Sequence, residues 1–376
     1  MFLERLELVD VRSYRQAQLM LAPGPNVLIG GNAEGKTNLV EAIHYLAIGA
    51  SHRAASDTAL VRAGAEAGVI RASARLEDLR ELVVEVELRP GGRRRARVNR
   101  QPQPRVRDAI GLIRSVLFAP EDLQLIRGEP ADRRRFLDDL LGQRRRAYLA
   151  ARQEYERVLR QRNALLRTQR TGQDADGAVL ATWTDALVRV GAMLLAARVA
   201  VVHALAGPAA AAYAELVGGA EASPPISLAY QLSTGRTVAG EAGGGVPDLA
   251  ETADELRAGL AAVAPLERER GTTLAGPHRD DLHLAVGPLP AKGYASHGEQ
   301  WSLALALRLA SHAVLYEVGE EPIVLLDDVF AELDTRRRAR LAARCAAFEQ
   351  VVVTAAVEAD VPLDGPRHRV GGGTVR

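Results

Sequence analysis

Alternation of apolar and polar positions dominates the first hundred residues. Phe2 to Val9 alternates as a half-buried strand does. Asn26 to Ile29 is a short apolar run entering glycines, and Leu39 to Ala47 then takes helical spacing. From Gly68 to Val98 the alternation returns through Val69, Ile70, Leu76, Val83, Val84, Val86 and Leu88, and Pro90-Gly91-Gly92 predicts a hairpin turn. The character changes near Asp132. From there to Arg167 the only glycine is Gly142 and proline is absent, while Leu137, Leu140, Leu141, Tyr148, Tyr155, Leu159 and Leu165 supply the apolar stripe of long amphipathic helices. A second helical block runs from Val179 to Leu216, and the glycine-rich stretch from Thr234 to Pro247 reads as a loop. Strand character resumes after Thr273, with Ile323 to Leu326 and Val351 to Val353 continuously apolar. This order predicts an α/β unit interrupted by a helical insertion, with residues 1–130 and 269–376 forming the split unit and 131–268 the insertion.

Composition narrows the class. A length of 376 residues allows about two domains at ~150 residues each. Apolar residues at 47% and charged residues at 25% fit a soluble globular chain rather than a disordered one. Basic and acidic residues nearly cancel, 48 against 47, so a nucleic-acid surface would have to be a local patch. The single cysteine, Cys345, excludes an internal disulfide. Charges at Glu4, Arg5 and Glu7 stand where a secretory signal needs an apolar run, and the stretch from Val190 to Ala212 is interrupted by Arg198, His203 and Gly207-Pro208. The expectation is a cytoplasmic protein with no membrane span. Lysine occurs only at Lys36 and Lys292, so its retention at position 36 suggests that an ammonium is wanted there.

Lys36 sits in Gly30-Gly31-Asn32-Ala33-Glu34-Gly35-Lys36-Thr37, which fits G-x-x-x-x-G-K-[ST]. Glycines let backbone amides wrap phosphate groups, and the helix that follows presents its positive end to them. Lys36 is expected to reach the β- and γ-phosphates of ATP, and the Thr37 hydroxyl to ligate Mg2+. An apolar strand before the loop and a helix after it are the context this motif requires.

The other half of the site lies near the opposite end. Ile323-Val324-Leu325-Leu326-Asp327-Asp328 is a buried-strand pattern ending in two carboxylates, placed where α/β sheets bind ligands. Asp327 is expected to hold magnesium through water, and Asp328 to orient or polarise the attacking water. Upstream, Ala295-Ser296-His297-Gly298-Glu299-Gln300 opens an apolar helix through Leu303, Leu305, Leu307 and Leu309. A small hydroxyl residue and a glycine at a helix start suit both an N-cap and anion binding.

The order of phosphate loop, long gap, S-x-G-[EQ]-Q segment, paired aspartates and Ala331-Glu332-Leu333-Asp334 resembles the ABC-type ATPases of the SMC and RecF group. Several stretches resemble the RecF family in particular: Val11-Arg12-Ser13-Tyr14, Gly35-Lys36-Thr37-Asn38-Leu39 with Glu41-Ala42-Ile43, Ser51-His52-Arg53, Phe118-Ala119-Pro120-Glu121-Asp122-Leu123, Arg133-Arg134-Arg135-Phe136-Leu137-Asp138, Gln161-Arg162-Asn163 and Gly276-Pro277-His278-Arg279-Asp280-Asp281. They span nearly the whole chain. The resemblance implies an ATPase head of mixed β-sheets with a P-loop helix, interrupted by a short α-helical arm. It implies that Ser296 and Gly298 serve the ATP of a partner copy in an ATP-dependent homodimer, with Asp334 nearby, and that Arg12 and Asn38 lie by the nucleotide. It further implies a weak DNA-dependent ATPase of recombinational repair and the SOS response, acting on gapped or double-stranded DNA with RecR and RecO, and with RecA indirectly.

Departures from the wider pattern bear on mechanism. ABC transporters place glutamate after the Walker B aspartate and histidine on the switch strand, where this chain has Asp328 and Thr354. Both features weigh against the alternative, a nucleotide-binding transporter subunit, and imply slow hydrolysis suited to a switch. The glutamine of the Q-loop is missing, and Glu121, Asp122 and Gln124 all stand as candidate sensors. Arginine triplets at 93–95, 133–135, 144–146 and 336–338 are candidates for DNA phosphates, although Arg134 and Arg135 also stand four residues before Asp138 and Asp139. Aromatic content of 4% argues against reading single strands by base stacking.

Overall fold

A computed structural model of the chain describes residues 1–54, 56–170, 177–219 and 224–376. The elements in chain order begin with β1 (Phe2–Val11), β2 (Tyr14–Met20), β3 (Gly24–Ile29), α1 (Lys36–Ile48), β4 (Gly68–Arg75), β5 (Glu81–Leu88), β6 (Arg95–Val98), β7 (Gln101–Pro102) and β8 (Ser115–Phe118). Then come α2 (Gln124–Arg127), α3 (Pro130–Arg144), α4 (Arg146–Arg170), α5 (Gly177–Val217), β9 (Ile226–Gln231), β10 (Thr237–Ala239), α6 (Leu249–Arg270), β11 (Asp281–Val286), β12 (Leu289–Pro290) and α7 (Ala291–Tyr294). The chain closes with α8 (His297–Tyr316), β13 (Ile323–Asp327), α9 (Thr335–Cys345), β14 (Gln350–Ala355), β15 (Arg367–Gly371) and β16 (Thr374–Val375).

Two compact units result. The first comprises Met1–Asp122, Glu215–Gly219 and Leu307–Arg376, and the second Leu123–Ala214 and Ala220–Ala306. The first unit carries two six-stranded sheets. One is antiparallel in the order β2-β1-β4-β5-β6-β7; the other runs β16-β15-β3-β14-β13-β8, parallel from β15 to β8. The continuously apolar runs of β13 and β14 become its central strands, where Ile323 to Leu326 and Val351 to Val353 are wholly buried, as covered parallel strands require. Alternation in β1, β4 and β5 becomes a sheet with one face in the core: Leu6, Leu8, Ile70, Val84 and Val86 are buried.

The second unit differs from the expected insertion. Its limits fall at Leu123 and Ala306 rather than at 131 and 268. The reason is strand pairing. β11 lies antiparallel to β9 in a four-stranded sheet, β10-β9-β11-β12, so residues 281–290 join the helices rather than the P-loop sheet. The stretch from Thr234 to Pro247 is likewise not loop throughout, because β10 pairs with β9 through Thr237, Val238 and Ala239. Helix α5 is long and apolar enough to cross a membrane by those criteria alone, but 61% of its most apolar 18-residue window is buried, the mark of a core helix.

At the centre of this unit the core is polar. Arg198, 4% exposed, donates from Nε and Nη2 to the two carboxylate oxygens of Asp138 at 2.9 and 3.0 Å, and from Nη1 to Tyr230 Oη at 3.1 Å and to the Pro277 carbonyl. Tyr230 in turn donates to Asp280 at 3.0 Å, and Tyr148 donates to Asp138. This set ties α3, α4, α5, β9 and the loop before β11 together. His278 belongs to the same loop. Its Nδ1 accepts from Tyr155 Oη at 2.7 Å and its Nε2 donates to the Thr273 carbonyl at 3.2 Å, which suits the neutral ring.

Burial, reinforced by Arg279 and other cations, lowers the pKa of His278 from 6.5 to about 4. The folded value lies below the unfolded one, so the contribution is complete above pH 6.5 and is lost as pH falls toward 4. A shift of this size corresponds to about 3 kcal/mol. Denaturant melts of the wild type are expected to weaken steeply over that window, and His278→Gln to remove part of the slope. An unchanged slope would sink this account.

Candidate nucleotide site

The P-loop joins β3 to α1 in the first unit. Gly30 ends the strand against β15, where a Cβ would lie 2.2 Å from the Val370 carbonyl oxygen, so no larger residue fits. Gly31, Asn32, Ala33 and Glu34 are exposed, and Glu34 accepts a backbone hydrogen bond from Gly372 at 2.9 Å. Gly35 is left-handed with φ +106°, and a Cβ there would meet Tyr14 Oη at 2.6 Å. It starts α1, whose first amides belong to Lys36, Thr37 and Asn38. The Lys36 ammonium, mostly buried, donates to the Gly30 and Gly31 carbonyls at 2.8 and 3.0 Å. An exposed glycine-rich loop, a helix N-terminus and an ammonium together favour a polyphosphate.

Beneath the loop, residues almost three hundred positions apart meet. Thr37 Oγ1 donates to Asp327 Oδ1 at 3.0 Å, and Thr354 Oγ1 donates to the same oxygen at 2.7 Å. Thr354 also accepts from the Asp328 amide at 2.9 Å. The parallel register explains this, since Asp327 pairs with Thr354 at the strand ends. Burial raises the Asp327 pKa, with the negative charges of Asp328 and Glu121 adding to it, against the two hydroxyl bonds. A buried carboxylate at this cost, sharing an oxygen with the P-loop hydroxyl, has the donor chemistry that magnesium takes. Asp328 follows in a left-handed backbone, φ 53°, uncommon for a residue with a Cβ.

Of the three candidate sensors, two separate clearly within this unit. Asp122 is buried and spent, accepting from the Ala119 amide at 3.0 Å and from Arg308 Nη2 at 2.6 Å. Glu121 is exposed, and its charge acts on Asp327. Arg12 lies beside α1, but its guanidinium is bidentate on Glu41 at 2.8 and 2.6 Å. Glu41 is fully buried, which alone would raise its pKa; the bonds from Arg12 and Ser51 override burial and hold it below the usual range. Asn38 donates to Ser13 Oγ at 3.0 Å.

The predicted signature residues fall in the second unit. Ser296 is exposed just before α8 and forms a capping box: its amide and hydroxyl donate to Glu299 at 2.8 and 2.7 Å. The local and the functional readings of this serine are thus compatible. Gly298 lies in the first turn of the helix. Arg127 donates to His297 Nδ1 at 2.6 Å and to Gln300 Oε1, holding the segment from α2. Sequence reasoning treated Thr354 only as a missing histidine and overlooked it as a partner of Asp327. It placed Glu41 in a family-like stretch without anticipating its pairing with Arg12.

P-loop, strand-end aspartate and a signature-like helix start on this mixed-sheet frame define an ABC-type ATPase head. The RecF/RecN/SMC N-terminal domain family matches residues 2–361. The DNA replication and repair protein RecF of Streptomyces avermitilis is 50% identical over 386 residues, covering 100% of this chain and 99% of that one, and its counterpart from Frankia alni is 51% identical over 381 residues with the same coverage. A solved structure of the recombination mediator RecF with ATP superposes with a TM-score of 0.89 at 26% identity, covering 100% of this chain and 97% of the other. An SMC head bound to the winged-helix domain of ScpA shares the fold at a TM-score of 0.55 and 17% identity. The chain belongs to the RecF family.

Proposed function

We propose that this protein binds ATP and acts as an ATP-gated switch in recombinational DNA repair. ATP binding joins two copies on gapped or double-stranded DNA, slow hydrolysis separates them, and the cycle aids RecA loading with RecO and RecR. The observation that carries the reading is the convergence of Lys36, Thr37 and Asp327 in one unit, with Ser296 left exposed at the start of α8 in the other. Ser296 and Gly298 are then available to the γ-phosphate on a second copy. ATP-bound relatives at full coverage support the ligand.

Each group has a role. The amides of residues 31–38 cradle the phosphates, and Lys36 turns from the Gly30 and Gly31 carbonyls to the β- and γ-phosphates. Thr37 and Asp327 would hold magnesium, which when bound neutralises charge on the phosphate oxygens. Asp328 orients the attacking water, and Glu121 acts as the sensor carboxylate in place of glutamine. Arg12 supports α1 through Nε and Nη2 on Glu41, which leaves its Nη1 for a nucleotide. The reaction takes place in the cytoplasm.

The test measures self-association and DNA binding with and without ATP. In the wild type ATP is expected to raise both. In Lys36→Met, which removes the ammonium but keeps an apolar stem, neither is expected to respond. A wild type indifferent to ATP would refute the switch.

A further inference from the structure

The four arginine triplets do not share one fate. Arg133 is buried and bidentate on Asp281 at 2.8 Å, Arg134 donates to the Asp280 carbonyl at 2.7 Å, and Arg135 faces Asp139 one helical turn on. Arg337 pairs with Asp334 and Arg338 with Asp360. Those two runs are largely engaged in internal pairs, and at 144–146 only Arg145 and Arg146 are exposed, at the junction of α3 and α4. The run at 93–95 belongs to something larger. Residues 89–107 contain eight arginines and no acidic residue. The chain's 48 basic and 47 acidic residues leave +1, so with these eight set aside the rest carries −7. A segment this one-sided in a net acidic remainder is a built charge.

Its position is specific. The segment forms the last turn and the two outer strands, β6 and β7, of the antiparallel sheet in the first unit. In β6, Ala96 points into the core while Arg95 and Arg97 stand on the exposed face, and Arg93 precedes them at the same period of two. Three arginines have internal work. Arg94 anchors the hairpin to the end of the P-loop helix through Tyr45 Oη at 2.9 Å and the Gly49 carbonyl at 2.8 Å; Arg97 pairs with Glu85 and Arg89 with Glu87. Arg93, Arg95, Arg100 and Arg105 are exposed and make no ion pair among the described residues. An edge strand is ordinarily a place where another strand adds, but Pro102 in β7 and Pro104 after it remove two amides from this one. A partner therefore meets side chains, not backbone. Guanidinium is also the cation that grips phosphate with two donors.

We propose that this arginine edge is a surface for the phosphate backbone of duplex DNA, engaged through Arg93, Arg95, Arg100 and Arg105 without reading sequence. The inference rests on the DNA role proposed above and assigns it to one edge of the first unit. It separates this edge from Arg94, whose loss would loosen the hairpin instead of the contact.

The experiment is fluorescence anisotropy of a 30-base-pair duplex of arbitrary sequence, with ATP, across a salt series. The proteins are the wild type, the fourfold alanine variant (R93A, R95A, R100A, R105A) and the matching fourfold lysine variant. Each phosphate contact contributes about 0.9 to the slope of log affinity against log salt, so the alanine variant is expected to lose about 3 to 4 from that slope and at least ~10-fold in affinity at physiological salt. The lysine variant keeps the charge and is expected to stay within about 1 of the wild-type slope. Binding of a fluorescent ATP analogue is expected to be the same in all three. A wild type that binds DNA alongside an alanine variant of unchanged slope overturns this surface and leaves the switch standing. A wild type that binds no duplex overturns both. If the fourfold alanine variant does not fold, the pair Arg93→Glu and Arg100→Glu reads the same slope, and an unchanged value there is equally fatal.

Discussion

Arg198→Ala is expected to lower the stability of the helical unit by about 3–5 kcal/mol, the cost of leaving a buried charge without its partner. The side chain is 4% exposed and its partner Asp138 5% exposed, so water does not reach either readily. Removing the guanidinium leaves the Asp138 carboxylate with the Tyr148 hydroxyl and the more exposed Arg152, 3.5 Å away, and leaves Tyr230 and the Pro277 carbonyl each short of a donor. Unfilled volume adds to the loss. Replacing both members, Arg198→Met with Asp138→Leu, is expected to recover most of it, because apolar groups of similar size often match a buried ion pair. Urea melts of the two single variants and the double variant give the cycle directly. Single variants each costing less than about 1 kcal/mol would show that the polar centre is solvated or dispensable.

The nucleotide site was largely legible in the sequence, and the reasons are local. A phosphate loop needs fixed glycines within eight positions, and a central parallel strand must be apolar along its length before its carboxylate. Ser296 was ambiguous between cap and signature because one residue serves both geometries: its capping box uses only atoms within three positions. What escaped was set by distant neighbours. The pairing of β9 with β11 assigns residues 281–290 to the helical unit, yet β11 begins fifty residues after β9 ends and nothing in its alternation names the partner. Arg133 looked like surface because Asp281 is 148 positions away. Thr354 is a single hydroxyl at the end of an apolar strand, and its bond to Asp327 follows from register alone. Glu121 and Asp122 are adjacent and chemically alike, so only burial and Arg308 tell them apart.

Asp327→Asn is expected to reduce ATP turnover by about 10²–10³-fold while ATP still binds, since it weakens the hold on the magnesium that would offset charge on the transferring phosphoryl group. The neighbours make this substitution informative. Thr37 and Thr354 both donate to Oδ1, and an amide oxygen can accept both bonds, so the strand ends and the P-loop keep their places while the formal charge is lost. Stability is expected to rise slightly or stay level, because burial already disfavours the Asp327 carboxylate in the folded chain. Thr354→Val is the complementary change: it deletes the donor to Asp327 and the acceptor for the Asp328 amide, and so releases the left-handed backbone that aims Asp328. Its effect belongs in hydrolysis more than in ATP affinity. Single-turnover hydrolysis beside equilibrium binding of an ATP analogue separates the two quantities. If Asp327→Asn loses ATP binding and hydrolysis in equal measure, the carboxylate holds the ground state rather than the reacting one. With hydrolysis slowed and binding intact, a switch that closes on ATP stays closed, so the Asp327→Asn protein is expected to accumulate as the ATP-bound dimer. Sedimentation with ATP would then show a dimer that outlasts that of the wild type, and a monomer under those conditions would break the link between hydrolysis and release.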